Sequence, residues 1–580
     1  MNSRKEKWVI KRRGGAMEDM VSKLGITPAF ARILCGRGYD TAEKAAAFLY
    51  PDGAELTAAT AMPDAERFCA FLRIVRAEGK KVRVIGDYDA DGVTATFLML
   101  QGLERFGIRA DYRIPNRVTD GYGISTDMVR EAHEDGVSVL ITVDNGIAAV
   151  EPVRLAKEFE MTVLVTDHHE PQEELPKADV LVDPKTDPDY PGTAVCGAVV
   201  AGKLMDYLLS EDGKPGFLEE HIEIFALATV ADVMQLIGEN RIIVQKGLAK
   251  PLTRWNTGLR ALAEANGLKT EPKAYTLGFV FAPCINALGR LKDAAPGVEL
   301  LFSKEYEEAK KLAESMVDAN AVRKEMTAQA IDEASLRLDS EPGEEALPIV
   351  YRSPICHESI AGIVAGKLRE RYYLPAIVLC ESTGEKGILK GSGRSIEGYS
   401  IFDGLCACKD YLIKFGGHAQ ACGLTLSEEN LTAFREALSE HFRRSGAEAV
   451  EKISIDLVVT FADLNEQLCA EIGRMEPFGN GNAKPVFASR EVTVSRIGHF
   501  GRSTKYTRLL LTDTNGTKIN GVYFGNADEF INQANGVWGR AAVSEAYAGR
   551  GTGRMNILFT PQVSSYSHEI EVTVDRFQFL

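Results

Sequence analysis

Short apolar runs alternate with helical patterns through the first half of the chain. Lys81–Ile85 (KVRVI), Val137–Val143 (VSVLITV), Met161–Val165 (MTVLV) and Val180–Val182 (VLV) have the length and branched apolar content of buried strands. Between them, Thr94–Phe106 and Ala148–Phe159 repeat apolar residues at helical spacing. This alternation predicts an α/β domain built on a doubly wound, mostly parallel sheet. From Ser303 to Leu338 the chain is rich in Ala, Glu, Lys and Leu and free of Pro and Gly. That predicts one long linker helix, or two broken near Asn320, ended by Glu341-Pro342-Gly343-Glu344-Glu345. A second α/β segment runs from about Leu347 to His441. The remainder, from about Ala447, is strand-rich and punctuated by glycine: FASREVTVSRIGHF, YTRLLLTD, KINGVYFG, WGRAAVSEAYA and RMNILFTPQV predict about five strands and a small OB-type barrel.

A chain of 580 residues is too long for one core, which agrees with several domains. No apolar run reaches the roughly 18–20 residues of a membrane span, and the basic start MNSRKEKWVIKRRGG lacks the apolar centre of a signal peptide. The ten cysteines include no CxxC pair, and only Cys406 and Cys408 are close in sequence, so reduced thiols are expected rather than a zinc site or a disulfide framework. Together these features predict a cytoplasmic protein with no membrane association. A net charge of −15 argues against a basic nucleic-acid coat protein. It leaves room for a nucleic-acid enzyme, since metal-holding carboxylates add negative charge and substrate can follow a basic strip on an acidic body.

Three clusters carry candidate chemistry, each directly after an apolar strand. Gly86-Asp87-Tyr88-Asp89-Ala90-Asp91-Gly92 places carboxylates at alternating positions, a pattern that needs either solvent or a cation. Asp144-Asn145-Gly146, taken alone, reads more readily as a strand-to-helix turn with an Asp cap than as a metal loop. Thr166-Asp167-His168-His169-Glu170-Pro171 holds two of only nine histidines, and a solvated surface pair is its plain alternative. An open parallel sheet binds ligands beyond the carboxyl ends of its strands, so the fold should gather all three clusters. Asp232, in the apolar stretch Phe225–Asp232, is a further carboxylate in need of a partner. Carboxylates with one imidazole suit Mn²⁺ or Mg²⁺ better than a thiolate-seeking metal.

VIGDYDADGVTAT, ITVDNGI, VTDHHEP and ALATVADVMQL resemble, in order and spacing, the four motifs of the DHH phosphoesterase superfamily. Further elements resemble the RecJ family of bacterial single-strand exonucleases within it: Ile114-Pro-Asn-Arg117 with Gly121-Tyr-Gly123, Cys284-Ile-Asn286-Ala-Leu-Gly289-Arg290, His357 with Gly362-Ile-Val-Ala, Gly391-Ser392-Gly-Arg394-Ser395, Gly416-Gly-His418 and Glu476-Pro-Phe-Gly-Asn-Gly-Asn482. One departure is Cys356-His357-Glu358-Ser359, where the family usually has Trp before the histidine and glycine soon after.

The resemblance implies a DHH catalytic domain with an N-terminal extension over 1–302, a linker helix over 303–345, a DHHA1-like substrate-binding domain over 346–446 and an OB-fold nucleic-acid-binding domain over 447–580. It implies two divalent ions, Mn²⁺ or Mg²⁺, one held chiefly by Asp89 and Asp144 and the other by Asp91, Asp144, His168 and Asp232. Asp87 and Asp167 then orient these groups or ligate occasionally, and His169 contacts phosphate. Arg117, Asn286, Arg290, His357, Ser392, Arg394 and His418 become substrate-binding candidates around a 5′ phosphate. The implied activity is hydrolysis of single-stranded DNA from the 5′ end to mononucleotides in repair and recombination, by a monomer whose partners are a helicase and a single-strand-binding protein.

In the barrel segment, Arg490–Arg554 holds nine basic and five acidic residues, with Tyr506, Tyr523 and Phe524 among them. Such a strip suits single strands, although each ring could equally fill the barrel core. Two rival functions remain: a DHH enzyme for small nucleotides, short RNA or pyrophosphate, which would not need the barrel, and a non-catalytic nucleic-acid scaffold, which would not need clustered carboxylates.

Overall fold

The computed structural model describes residues 5–11, 14–51, 56–117, 120–291, 293–340, 347–382, 385–501, 505–564 and 567–580. The chain divides into two compact units. One comprises the described residues of Met1–Lys5, Glu55–Glu451 and Gly479–Gly481; the other comprises those of Glu6–Ala54, Lys452–Phe478 and Asn482–Leu580.

The first unit opens with a five-stranded sheet: β1 (Val82–Ile85), β2 (Ala110–Arg113), β3 (Val139–Val143), β4 (Thr162–Thr166) and β5 (Val180–Val182). The order is β2-β1-β3-β4-β5 and every pairing is parallel. Alternate side chains enter opposite cores. Val82, Val84, Val139, Ile141 and Val143 face one layer of helices, and Ile85, Leu140, Val163 and Val165 face the other. Burial on both faces explains why these strands read as near-continuous apolar runs. The edge strand β2 (ADYR) is half-exposed throughout, and its polar sequence carried no strand signal. The order reverses between β1 and β3, so the crevice of this sheet lies beyond the carboxyl ends of those two strands.

The linker is a single helix, α1 (Tyr306–Ser340), unbroken at Asn320, whose buried amide Nδ2 lies 3.4 Å from the Cys284 thiol. The expected stop at Glu341–Glu345 lies outside the described residues. Beyond it, β6 (Ile349–Arg352), β7 (Ala376–Glu381), β8 (Ile388–Arg394), β9 (Lys414–His418) and β10 (Ala421–Ser427) form a second sheet in the order β9-β10-β8-β7-β6. Only β6 and β7 pair parallel.

In the second unit, Phe487–Phe500, Tyr506–Thr512, Lys518–Tyr523, Ile570–Phe579 and Gly553–Val563 pair in that order, and the last closes on the first. This is a closed five-stranded barrel. One predicted strand is corrected: Ala527–Trp538 and Arg540–Tyr547 are helices, so WGRAAVSEAYA is helical and Ile570–Phe579 is the fifth strand. Val543 and Ala546 are buried one helical turn apart, a period that the glycine-flanked segment hid.

A second difference concerns the amino-terminal segment, assigned from sequence to the catalytic domain. Its helices Met17–Leu24, Pro28–Gly36 and Ala42–Leu49 share the barrel's apolar core. Arg37 makes a two-pronged ion pair with the buried Asp456, and Thr27 donates to Glu471.

Candidate metal centre

After β1 the chain turns through Gly86 and Asp87 into the helix Ala90–Phe106, with Asp89 as its cap. Asp89 Oδ1 accepts from the amides of Asp91 and Gly92 at 3.0 Å. Gly92 is required here, because a β-carbon would lie 2.6 Å from the Asp87 backbone. Asp91, fully buried, takes the amides of Gly197 and Ala198 at 2.7 and 2.9 Å, so its charge sits on the amino end of the helix Gly197–Glu211. Each of its oxygens keeps a lone pair for a cation.

After β3, Asp144 adopts a left-handed backbone (φ 61°) and Asn145 locks the crossing. The Asn145 amide donates to the carbonyls of Ile85, Gly86 and Val143 while its oxygen accepts from Ile124. After β4, Asp167 accepts from the amides of Ile147, His168 and His169 and from the His169 ring. Its capacity is spent on holding this loop. Asp232 ends the helix Ile222–Ala231, and its side chain is 26% exposed.

These loops converge. One donor atom each from Asp91, His168 and Asp232 fall within 4.8 Å of one another, and so do those from Asp87, Asp89 and Asp144. His168 Nε2 lies 3.1 Å from Asp144 Oδ1, 3.6 Å from Asp232 and 3.7 Å from Asp91, which ties the two sets together through Asp144.

The electrostatics call for cations. Burial, then the charge of Asp89, pushes Asp91 up to about 6, and burial with Asp91 pushes Asp232 up to about 7. Asp87 and Asp144 are held well above the usual carboxylate range by burial and their acidic neighbours. Among the described residues, Asp144 Oδ1 and both ring nitrogens of His168 are buried with no partner in hydrogen-bond geometry, the 3.1 Å approach of the two groups included. Burial lowers the His168 pKa and keeps the ring neutral, with a lone pair to offer. Clustered carboxylates, orphaned donor atoms and a neutral imidazole fit hard divalent ions such as Mn²⁺ or Mg²⁺.

His169 differs from its neighbour. Burial, the largest single influence, works against its charge, but the 2.7 Å contact of Nδ1 with Asp167 and the charges of Asp167, Asp232 and Asp91 together raise the pKa to about 9. An imidazolium at the mouth of the site, 39% exposed, is built to meet an anion. Tyr122 donates either to the Asp144 carbonyl at 3.0 Å or to this ring.

Across from the strand ends stand cationic groups. Arg117 lies over the Tyr88 ring (5.1 Å) and shares a cavity of about 230 Å³ with Ser359, Lys390 and Ser392. Arg290 donates to the Ser359 carbonyl, and burial together with the charges of Arg117 and Arg323 lowers its pKa to about 10. Arg394 and Ser392 both reach Gly362, where a β-carbon would lie 3.0–3.1 Å from them. Register carries Arg394 through Ala421 to the exposed His418 on β9. Asn286 sits one turn before Arg290, and its buried Oδ1 has no hydrogen-bond partner among the described residues. His357 opens instead toward a separate cavity and bonds Ser359 through Nδ1.

The chain is similar to known proteins along most of its length. Residues 81–229 match the DHH family, N-terminal domain; residues 347–444 match the DHHA1 domain; residues 455–575 match the RecJ OB domain. The single-stranded-DNA-specific exonuclease RecJ of Salmonella typhimurium is 34% identical over 71% of this chain and 75% of its own length. The chain belongs to the RecJ family. RecJ of Bacillus subtilis is 35% identical over 88% of this chain, which spans 65% of that relative's length. The crystal structure of Thermus thermophilus RecJ in complex with Mn²⁺ superposes with a TM-score of 0.82 at 26% identity, covering 99% of this chain and 80% of that one.

Two residues of this RecJ-family site escaped the sequence reading. Asn145 reads in the sequence only as turn chemistry, since nothing local reveals that three carbonyls from two strands await its amide. Tyr122 was visible only within the Gly121-Tyr-Gly123 element. In the barrel the three candidate rings separate. Tyr523 packs on Phe530 and Phe577, whereas Tyr506 and Phe524 join Phe500 in a triangle of rings 5.4–5.9 Å apart, with Arg508 over Phe500.

Proposed function

We propose that the chain is a Mn²⁺- or Mg²⁺-dependent exonuclease that hydrolyses single-stranded DNA from the 5′ end to mononucleotides during repair and recombination. The observation that carries this reading is the meeting of two donor sets at the β1/β3 crevice, joined through Asp144 and faced within the same unit by an arginine cradle. In this reading Asp87, Asp89 and Asp144 hold one ion, and Asp91, Asp144, His168 and Asp232 hold the other. Two such ions would activate a water and offset the charge that develops on the phosphoryl oxygens. The protein's own groups do the remainder: Asn145 and Asp167 fix the loops, His169 holds a phosphoryl oxygen, and Arg117, Arg290, Arg394 and Ser392 clamp the 5′ phosphate with Asn286 and His418 beside them. His357 acts through Ser359, which anchors Arg290.

The barrel's ring triangle, with Phe524 exposed and Phe500 and Tyr506 half-buried, and its arginine favour a strand substrate over a dinucleotide or pyrophosphate. An enzyme restricted to unpaired strands needs duplex opened and coated strand handed over, so a helicase and a single-strand-binding protein are the partner classes we propose, for a monomer in the cytoplasm. Single-stranded DNA, duplex DNA, short RNA and a dinucleotide, each incubated with the full chain and Mn²⁺, test the reading. Rapid loss of the single strand alone supports it. Preference for the dinucleotide would transfer the chain to the small-substrate branch.

A further inference from the structure

Tyr275 and Phe279 stand out on the catalytic unit. Their rings stack at 4.8 Å and 19°, yet the residues are 68% and 67% exposed. Among the described residues no other tyrosine or phenylalanine is so open to solvent. They sit on one continuous helical run, Ala274–Thr276, the π-turn Leu277–Phe281 and Ala282–Leu291. Such π-turns are frequent at functional sites.

Two neighbours fix what this pair borders. Gly278 abuts Val230, where a β-carbon would lie 3.1 Å from Cγ1, and Val230 is two residues before Asp232. Val233, directly after Asp232, is itself 66% exposed. In the other direction the exposed positions Tyr275 and Phe279 are continued by the part-exposed Pro283, Asn286 and Arg290 at intervals of three to four residues, which marks one face of the helical run. At a rise of about 1.5 Å per residue, roughly 16 Å separates Phe279 from Arg290. One helix face thus runs from the phosphate cradle, past the Asp232 turn, to two open rings.

We propose that Tyr275 and Phe279 form a base-stacking platform for the segment of strand 3′ of the scissile phosphate. The proposal rests on the exonuclease reading, which supplies the strand and its direction. With the 5′ phosphate at Arg290 and the reacting phosphate at the metal centre, the following bases pass over the rings. Flat aromatic faces take any base, as an enzyme that degrades without regard to sequence requires.

The test uses the full-length double variant Tyr275→Ala/Phe279→Ala, with thermal melting to verify that these solvent-facing changes leave the fold intact. On a single strand of about twelve nucleotides, KM should rise about tenfold or more while kcat stays within about twofold. Cleavage of a dinucleotide should be unchanged, and a strand made abasic beyond its second nucleotide should bind wild type and variant alike. Equal KM values on the intact strand would overturn the platform and leave the rings to a protein contact. An equal loss on the dinucleotide would instead mark them as structural props of Asp232. Anisotropy of a labelled strand in Ca²⁺ reads the platform without turnover. An unchanged Kd there overturns it even if the exonuclease reading stands, whereas a weakened Kd beside absent cleavage would sustain the platform and sink that reading.

Discussion

Asp144 holds a left-handed backbone at a non-glycine position, a conformation that costs about 1–3 kcal/mol and persists only where its surroundings impose it. The surroundings are specific: Tyr122 meets its carbonyl, and Gly197 leaves room where a β-carbon would lie 2.5 Å from the Asp144 Cβ. Joined to both donor sets, this carboxylate should be the least replaceable residue. Asp144→Ala is expected to lower kcat by several orders of magnitude while circular dichroism and melting remain near wild type. Appreciable Mn²⁺-dependent turnover in the folded variant would sink the shared role. The two histidines should separate under calorimetric metal titration. His168→Ala removes a neutral, unpartnered ring and should weaken Mn²⁺ binding by about tenfold or more. His169→Ala removes an imidazolium already paired to Asp167, so metal affinity should hold while kcat falls. Equal losses of affinity would mean that the pair is assigned wrongly.

At the scale of elements, the cradle has a close packing point at Gly362 on the helix Ala361–Tyr372, where a β-carbon would lie 3.0 Å from the Arg394 guanidinium and 3.1 Å from the Ser392 hydroxyl. Burial lowers the Arg394 pKa, and Arg117 adds to this, which is the signature of a cation waiting for an anion. Arg394→Ala should weaken binding of a 5′-phosphorylated strand by about 1.5–3 kcal/mol, roughly 10- to 150-fold in Kd, and much less for a 5′-hydroxyl strand. Competition binding between the two strands checks it, and equal losses would remove the phosphate contact.

Elements also show what a sequence can disclose. Four strands of the first sheet were legible because both their faces are buried, and the metal loops were legible because each follows such a strand. The edge strand Ala110–Arg113 was not, since half-exposed polar residues carry no periodic signal. Arg540–Tyr547 was misread as a strand because its burial repeats over only two turns between glycines. Asn145 could not be weighed because its worth lies in carbonyls brought from β1, about sixty positions away in the chain.

At the scale of the whole molecule, the amino-terminal helices belong with the barrel, not with the catalytic sheet. The proposed chemistry therefore lies within one unit, and a fragment spanning residues 56–451 should fold, as a cooperative melt would verify. It should retain metal binding and cleave very short oligonucleotides, yet bind long strands far more weakly. The lost affinity should be salt-dependent, because each phosphate neutralised by a barrel Arg or Lys releases counterions. If the folded fragment binds long strands as tightly as the full chain at moderate salt, the barrel is not a strand-binding domain.

The central claim, a metal-dependent attack that begins at the 5′ phosphate of a single strand, is tested most directly by one time course. The full-length chain is incubated with Mn²⁺ and a 5′-phosphorylated single strand carrying a fluorophore at its 3′ end, and the products are sized. The account predicts mononucleotides from the outset and a ladder of shortening strands that all keep the 3′ label. Immediate release of the label on a mononucleotide, or internal fragments without mononucleotides, would contradict it.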